Sequence, residues 1–289
     1  MSMRNRQTFV FVLATTLVLG ACSAGSSPSS PSASSQVSDD PAPSAVAAAT
    51  PIPIGTDPNE CSDGAPCMCG GTTCEFTGGT YATFGRWAFL PGLTMTIPAG
   101  WYSTAQEAGE FNVLHPDQGD NGLLFWRDMI PVALNGSQVT GVPSTPQGLT
   151  DWFTTNPNLI VSEPEQVTIG LGIQATTFTF TTAPGGPNQD QACDVCPPDA
   201  VIFGILTMGS GFVTGSWLTA SFHATRLYLA SIGPSSSPHL LVVAVLGSTL
   251  PPSTQTDPFV ELERFEAAVQ PILDSLDVSQ VTFNCDPCN

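Results

Sequence analysis

The sequence contains no lysine and only six arginines, against 24 aspartates and glutamates, so its formal net charge is −18 at pH 7. Recognition of nucleic acid depends on lysine and arginine side chains that neutralise phosphates, and docking on anionic lipid depends on a basic patch. The composition therefore argues against both kinds of partner. It is typical of a protein kept soluble by mutual repulsion, with binding of a cation or a basic partner as the alternative.

The motifs of the commonest enzymes are also missing. We find no Gly-x-Ser-x-Gly turn, no His-Glu-x-x-His helix, no glycine-rich phosphate loop after a strand and no complete calcium-binding loop. The three histidines, His115, His223 and His239, are scattered, and their spacing places no two of them on one face of an element. The sequence therefore predicts no catalytic residue, no cofactor and no metal site.

Two groups of residues leave ligand binding as an alternative. Two oxygen-rich stretches supply only part of the roughly six to eight oxygens that calcium needs, and turn chemistry explains them equally well. They are Asp57, Asn59, Glu60 and Asp63, and Asp117, Asp120 and Asn121. The tryptophans are interpreted as core anchors, with stacking on cell-wall sugars as the alternative. They are Trp87, Trp101, Trp126, Trp152 and Trp217.

A short hydrophobic stretch near the N-terminus leads into a cysteine. Arg4 and Arg6 precede an apolar run over residues 9–19, which at about 1.5 Å per residue is too short for a hydrocarbon core of about 30 Å. Leu19-Gly20-Ala21-Cys22 closes the run and resembles the lipobox, the processing signal of bacterial lipoproteins. The resemblance implies that residues 1–21 are a cleaved signal peptide and that Cys22 carries a diacylglyceryl thioether. An ordinary secretory signal is the alternative.

Residues 22–58 are predicted to be a lipid anchor followed by a disordered tether. From Ser23 to about Pro58 the chain is dominated by serine, alanine and proline and has no aromatic residue. Such a composition cannot bury enough apolar surface to offset the entropy lost on ordering. Residues 59–289 are predicted to form a single extracytoplasmic domain, because no repeat and no second linker interrupts them. Loss of Arg4 and Arg6 with the signal would change the formal net charge from −18 to −20.

Beyond Cys22, the other eight of the nine cysteines fall into three groups. Outside the cytoplasm an even number predicts disulfides, which here would staple the ends of the domain and one internal loop. The alternatives are a zinc site built from four thiolates and a redox pair in one of the two Cys-x-x-Cys segments. Asp194 and Asp286 lie inside those segments and disfavour a thiolate. The disulfide candidates are Cys61, Cys67, Cys69, Cys74, Cys193, Cys196, Cys285 and Cys288.

Apolar periodicity predicts many strands and two helices in the folded part. Thr145 is placed to cap a helix over residues 146–155, and Asp257 to cap one that starts at Pro258. Pro271 is expected to kink the second helix or end its regular part. The predicted strands are residues 81–89, 93–97, 111–114, 122–129, 167–169, 175–182, 201–208, 221–232, 240–246 and 280–283. This order predicts an α+β fold, a twisted, mostly antiparallel sheet flanked by a few helices.

Two segments carry a resemblance to a known fold. Residues 93–101, Leu-Thr-Met-Thr-Ile-Pro-Ala-Gly-Trp, are a strand entering a Pro-x-Gly-Trp turn, and residues 268–276, Ala-Val-Gln-Pro-Ile-Leu-Asp-Ser-Leu, follow a late strand pair. The order of elements over residues 80–284 resembles the PsbP-like fold of photosystem extrinsic proteins and various bacterial lipoproteins. That resemblance implies a sandwich and no catalytic residues. The three cysteine groups and the loop over residues 183–199 depart from the pattern.

These observations predict a lipid-anchored extracytoplasmic lipoprotein that acts as a binding or scaffold module without catalysis of its own. It would contact the cell membrane through its N-terminal lipid and bind a cell-wall glycan or a protein partner. The alternative is a cell-surface hydrolase or glycan-processing enzyme with an unfamiliar acidic site. Two convergent carboxyls with raised pKa values, or a histidine beside a serine, would favour the enzyme.

Overall fold

A computed structural model describes residues 50–55, 74–84, 90–103, 106–107, 110–117, 121–132, 139–183, 201–206, 216–219, 223–248 and 257–283 of the chain. These ranges contain two helices, α1 (Pro146–Thr155) and α2 (Pro258–Asp274). Their strands are β1 (Ile52–Gly55), β2 (Cys74–Glu75), β3 (Gly79–Phe84), β4 (Thr94–Ile97), β5 (Tyr102–Ser103), β6 (Gln106–Glu107), β7 (Glu110–Leu114), β8 (Gly122–Arg127), β9 (Ile130–Val132), β10 (Leu159–Val161), β11 (Glu165–Ile169), β12 (Ile173–Thr182), β13 (Val201–Leu206), β14 (Ser216–Thr219), β15 (His223–Ile232) and β16 (His239–Ser248).

The largest assembly is a ten-stranded sheet with the order β10-β12-β15-β16-β8-β7-β5-β2, in which β11 also pairs with β12 and β6 with β7. Its strand pairs are antiparallel. Strands β15 and β16 form a long hairpin, in register from His223 opposite Ser248 to Ile232 opposite His239. Two smaller sheets have the orders β1-β3-β4 and β14-β13-β9. The described part is mostly antiparallel sheet with two helices, which confirms the predicted α+β class.

A helix covers each face of the large sheet, because its central strands are apolar on both faces. Tyr228 of β15 belongs to the same core cluster as Phe265 of α2. Its neighbours Leu227 and Leu229 belong to a second cluster with Phe153 of α1. Full burial of a side chain such as Phe265 or Phe153 contributes about 1.5–3 kcal/mol to stability. Packing of the two helices on the sheet therefore contributes substantially to the stability of the fold, in addition to strand pairing.

Both helices begin where the sequence predicts. The Thr145 side chain caps α1 by accepting a hydrogen bond from the Gly148 amide at 3.1 Å. The Asp257 carboxylate caps α2 by accepting one from the Phe259 amide at 2.9 Å. A proline occupies the first turn of each helix, where its missing N–H has no partner to lose.

The predicted apolar face of α2 is confirmed, and of the two effects expected of Pro271, a kink or an end of the regular helix, the second is wrong. The residues of that face are at most 1% exposed: Leu262, Phe265, Val269, Ile272, Leu273 and Leu276. Pro271 does not end the helix, which continues to Asp274. The missing amide of Pro271 costs one backbone hydrogen bond, and only three more helical residues follow it.

Strand β1 lies inside the range that composition assigns to the tether, so the tether prediction is wrong at these residues. Ile52 pairs in parallel with Tyr81 of β3, and Ile54 pairs with Thr83. The Ile54 side chain is 1% exposed and belongs to the core cluster of α2. The tether is predicted from the composition of the whole stretch, in which serine and alanine outnumber the few apolar residues of β1. Two apolar residues spaced two apart are enough for a strand when its partner comes from elsewhere in the chain.

The predicted strand over residues 280–283 is also wrong. Gln280 lies in a turn, and the Thr282 amide donates a single hydrogen bond to the Pro91 carbonyl at 2.9 Å. At Gly92, whose φ is +90°, an added β-carbon would lie 2.1 Å from the Gln280 carbonyl oxygen. The tail therefore crosses the β3–β4 turn at close range and does not extend a sheet.

Several predicted features lie outside the described residues. Residues 1–49 include the predicted signal peptide, Cys22 and most of the tether. The structure describes only the backbone of the disulfide candidate Cys74, and the other seven candidates lie outside its ranges. The same holds for Trp87, for the oxygen-rich stretch 57–63, and for the side chains of His223 and Trp217. Within the described ranges, neither helix is long and apolar enough to cross a membrane.

Candidate functional site

The oxygen-rich loop after β7 does not form a metal site in the part of the chain that the structure describes. The half-buried His115 ring meets the Trp101 ring edge-on, with centroids 4.9 Å apart. Its Nδ1 accepts a hydrogen bond from the Asp117 amide at 3.1 Å, while the Asp117 side chain is exposed. Asn121 is buried, and Asp120 lies outside the described residues. Among the described residues, no three histidine, cysteine or acidic side chains gather as metal ligands.

The tryptophans that the structure describes pack against other side chains. Trp101 and Trp126 are buried, which confirms their interpretation as core residues. Trp152 is half-buried on α1, with its ring 4.9 Å from that of Phe153. Of these three, only Trp152 therefore retains an aromatic surface that could stack on a ligand.

Asp128 and His239 form a polar cluster that several hydrogen bonds hold together. Asp128 follows β8 directly, and its amide donates to the Leu240 carbonyl at 2.8 Å. Its Oδ1 accepts from the Leu240 amide at 2.9 Å, and its Oδ2 lies 2.7 Å from His239 Nδ1. Asp128 is the only non-glycine residue among those described with a positive φ, +53°. This left-handed turn aims the carboxylate back at the first residues of β16.

The hydrogen bond to Asp128 determines the chemistry of the imidazole. A carboxylate only accepts hydrogen bonds, so Nδ1 of His239 is the donor and Nε2 of the neutral ring is an acceptor. The His239 side chain is 28% exposed and that of Asp128 17%. Arg127 Nε lies 3.8 Å from Asp128 Oδ2 and adds a positive charge beside the pair. A histidine held in this way can accept a proton or bind a metal through Nε2.

The C-terminal tail covers one face of this imidazole. The Phe283 ring stacks on His239 with centroids 4.7 Å apart and an interplanar angle of 2°. Gly233, in the β15–β16 turn, makes room for the phenyl ring, because a β-carbon there would lie 2.9 Å from it. The imidazole is thus oriented by Asp128 in its plane and by Phe283 on its face.

A second charged cluster lies on the α2 side of the same sheet. Arg226 Nε of β15 is 2.7 Å from Glu266 Oε1 of α2. The distance is that of an ion pair, although the angle is not that of a directed hydrogen bond. The Arg226 charge also lowers the pKa of the Tyr228 hydroxyl, which lies two residues further along β15. The cluster is a charge contact between the helix and the sheet.

Burial governs the ionisation of this second cluster. It raises the pKa of the Glu266 carboxyl above its ordinary value and outweighs the lowering by the Arg226 charge, while Glu263 raises it further. Burial also raises the pKa of the Tyr228 hydroxyl. The Glu266 carboxyl is thus buried, has a raised pKa and is already paired with an arginine.

Sequence reasoning missed the Asp128 and His239 pair because its members are 111 residues apart. The sequence contains only a weak signal that these two residues meet. Arg127-Asp128 ends one apolar run and Pro238-His239 begins another, so polar residues mark the ends of two strands. Only the pairing of β8 with β16, with Arg127 opposite Leu241, brings those ends together.

Comparison with known proteins adds no assignment. The chain matches no protein-family model. It also matches no curated protein sequence.

Proposed function

We propose that this protein is a bacterial lipoprotein, held at the extracytoplasmic face of the cell membrane by a lipid on Cys22. The observation that carries the proposal is Leu19-Gly20-Ala21-Cys22 after an apolar run too short to span a bilayer. Two acyl chains hold a protein stably where one holds it marginally, so a diacylglyceryl group suffices without a basic patch.

The folded part acts as a binding or scaffold module for a cell-wall glycan or another protein. This part of the proposal is supported by the pairing of charged side chains with one another in the described residues. Glu266 is paired with Arg226, and His239 with Asp128. In the described part of the chain the His239 ring contacts Asp128 and Phe283, so neighbouring side chains already hold it.

The finer architecture is part of the same proposal. An antiparallel sheet with a helix on each face is compatible with a PsbP-like sandwich. The segment over residues 93–101 fits that pattern, since β4 leads through a turn at Gly100 into the buried Trp101. Disulfides among the eight cysteines beyond Cys22 would then staple loops around this core.

Trypsin offers a direct test, because the mature chain holds only four arginines and no lysine. Cleavage after Arg86, Arg127, Arg226 and Arg264 places the three cysteine groups in separate peptides, 22–86, 128–226 and 265–289. We expect non-reducing mass spectrometry of the protein from its native host to find peptide 22–86 with a diacylglyceryl group on Cys22. We also expect the eight other cysteines to be oxidised. An N-terminus other than Cys22, or free thiols with bound zinc, would contradict the proposal.

A surface hydrolase or glycan-processing enzyme is the second candidate, and the Asp128 and His239 geometry is the observation that favours it. Lipid-free protein incubated with purified cell wall separates the two functions. Co-sedimentation without release of soluble fragments supports a binding module. Release of fragments that His239→Gln abolishes, while His115→Gln does not, supports the enzyme.

A further inference from the structure

The turn end of the hairpin formed by β11 and β12 carries four neutral polar side chains on one face. Gln166 and Thr168 of β11 lie directly opposite Thr176 and Gln174 of β12. Gln166 Nε2 donates to Thr176 Oγ1 at 2.8 Å, and Gln174 Nε2 donates to Thr168 Oγ1 at 2.9 Å. We call these four residues the polar ladder and each hydrogen-bonded pair a rung. The two rungs are about 6.8 Å apart, because they are two residues apart along strands that rise about 3.4 Å per residue.

The polar ladder lies on the α1 side of the large sheet, at residues that are open to solvent. Side chains of a strand alternate between the two faces, so the ladder residues of β12 share a face with Phe178 and Phe180. Both phenylalanines are buried in the core cluster that contains Phe153 of α1. By contrast, Gln174 is exposed and Thr176 is half-buried, and both ladder residues of β11 are exposed. The same face is therefore apolar where it is covered and polar where it is open.

The hydrogen-bonding groups that the rungs leave available match those of hydroxyls. Each glutamine uses one N–H in its rung and keeps a second N–H and its carbonyl oxygen, and each threonine keeps its O–H donor. A sugar hydroxyl both donates and accepts, so it can bond to either kind of group. The rungs also orient the amides before a ligand arrives, which lowers the entropic cost of binding.

The polar ladder carries no charge. Strand β12 contains no charged residue, and Glu165, the single charged residue of β11, lies on the opposite face because it is adjacent to Gln166 in the strand. A carboxylate or phosphate ligand would favour arginine at its site, and the centres of protein–protein interfaces are rich in aromatic residues, methionine and arginine. The chemistry that fits glutamine and threonine is that of a neutral ligand rich in hydroxyls.

We propose that the polar ladder is the surface through which this protein binds a neutral stretch of cell-wall glycan. The inference rests on the proposed function, a binding module for a glycan or another protein, and selects the glycan. Gln166 and Gln174 provide the amide contacts, and Thr168 and Thr176 hold those amides in place while their own hydroxyls donate to the ligand.

Co-sedimentation of the lipid-free protein with purified cell wall, treated with protease to remove wall proteins, tests the proposal. We expect Gln166→Ala combined with Gln174→Ala to weaken binding about tenfold, because two sets of neutral hydrogen bonds are lost. We expect about 1 M salt to leave binding of the starting protein unchanged, since a neutral ligand offers no charge to screen. Loss of binding after protease treatment would identify a protein partner, and loss in high salt a charged one. Either result would overturn the proposal.

Gln270→Ala is the matched control. Gln270 is also an exposed glutamine whose Nε2 donates one hydrogen bond, to Asp274 Oδ1 at 2.7 Å, but it lies on α2 at the other face of the sheet. Its substitution should leave binding unchanged. Gln174→Glu keeps the shape of the side chain while it removes the N–H donors, and should weaken binding even if the double alanine variant does not fold.

The assay separates failure of this inference from failure of the proposed function. If the starting protein binds the wall and the variants of Gln166 and Gln174 bind it equally well, the polar ladder is not the binding surface, although glycan binding stands. If the starting protein does not bind the wall, glycan binding and the role of the polar ladder are both refuted.

Discussion

At the scale of single residues, Asp128 joins an unfavourable backbone conformation to a favourable set of hydrogen bonds. A left-handed φ costs a residue with a β-carbon about 1–2 kcal/mol, although aspartate tolerates it better than most. The carboxylate offsets this cost by accepting from the Leu240 amide and from His239. The turn after β8 is therefore held by its side chain.

Asp128→Ala should lower the free energy of unfolding by about 2–4 kcal/mol, because it removes charge-assisted hydrogen bonds and keeps the left-handed backbone. Asp128→Asn should lower it by about 1 kcal/mol, since asparagine adopts this φ and can still accept from Leu240. Urea unfolding monitored by circular dichroism measures both. Equal losses for the two variants would mean that the carboxylate does not hold the turn.

Substitution of two buried threonines in the large sheet should change the stability of the protein in opposite directions. The Thr225 hydroxyl is buried and has no hydrogen-bond partner among the described residues. The Thr177 hydroxyl donates to the Leu227 carbonyl at 2.8 Å. Thr225→Val should raise the free energy of unfolding by about 1–2 kcal/mol, because an unsatisfied polar group leaves the core. Thr177→Val is the matched control and should lower the free energy of unfolding by about 1 kcal/mol. If both variants are less stable than the starting protein, the Thr225 hydroxyl has a hydrogen-bond partner, such as a buried water.

At the scale of elements, α2 is bound to the sheet mainly through apolar contacts, with one ion pair among them. Gly247 of β16 shows how closely they approach, because a β-carbon there would lie 2.5 Å from the Leu262 Cα. Burial among these apolar contacts removes water from the Glu266 carboxylate. The Arg226 charge compensates for only part of that lost hydration. The helix therefore carries a pH-dependent contact inside its docking face.

The raised pKa of Glu266 determines the direction of that dependence. Its ordinary value is 4.5. The folded protein takes up the proton at higher pH than the unfolded chain, so protonation favours folding. The contribution to the free energy of unfolding is complete below about pH 4.5 and is lost as the pH rises through the raised pKa.

Glu266→Gln should therefore remove a rise in stability that the starting protein shows as the pH falls toward 4.5. Urea unfolding over a pH series measures the difference between the two curves. Glu163→Gln, at an exposed residue between β10 and β11, is the control and should keep the original curve. A pH dependence unchanged by Glu266→Gln would contradict the burial argument.

At the scale of the whole molecule, the three arginines that the structure describes each lie beside a carboxylate. Arg127 lies beside Asp128, Arg226 beside Glu266, and Arg264 Nη1 is 3.1 Å from Glu261 Oε2. The sequence has no lysine and carries a formal charge of −18, a composition that disfavours electrostatic attraction to anionic lipid.

Cys22→Ala should consequently release the protein from membranes, because the proposed lipid would be its sole attachment. We expect the variant in the soluble extracytoplasmic fraction and the starting protein in the membrane fraction, including after a wash in high salt. Cell fractionation with immunoblotting provides the measurement, with Ser23→Ala as the control. Continued membrane association of Cys22→Ala would argue against the lipid anchor.

Local patterns predicted the longer elements well and the shorter ones poorly. The start of α1 and the apolar face of α2 follow from caps and from a period of about 3.6 residues, both of which are local. The predicted strands over residues 167–169 and 175–182 likewise follow from a local pattern, the alternation of Phe178 and Phe180 with threonines, and they lie within β11 and β12. Strand β1 and two-residue strands such as β5 lack such patterns, because they exist only through partners distant in sequence.

By itself the sequence determined the α+β class, the two helix starts and the acidic, lysine-free composition, because periodicity, capping and charge are properties of neighbouring residues. It also carries Leu19-Gly20-Ala21-Cys22, the segment that resembles a lipobox and on which the proposed location depends. Only the tertiary structure decided that Asp128 meets His239 and that Phe283 covers the imidazole. Those contacts depend on the register of β8 against β16 and on the path of the tail, which no local pattern encodes.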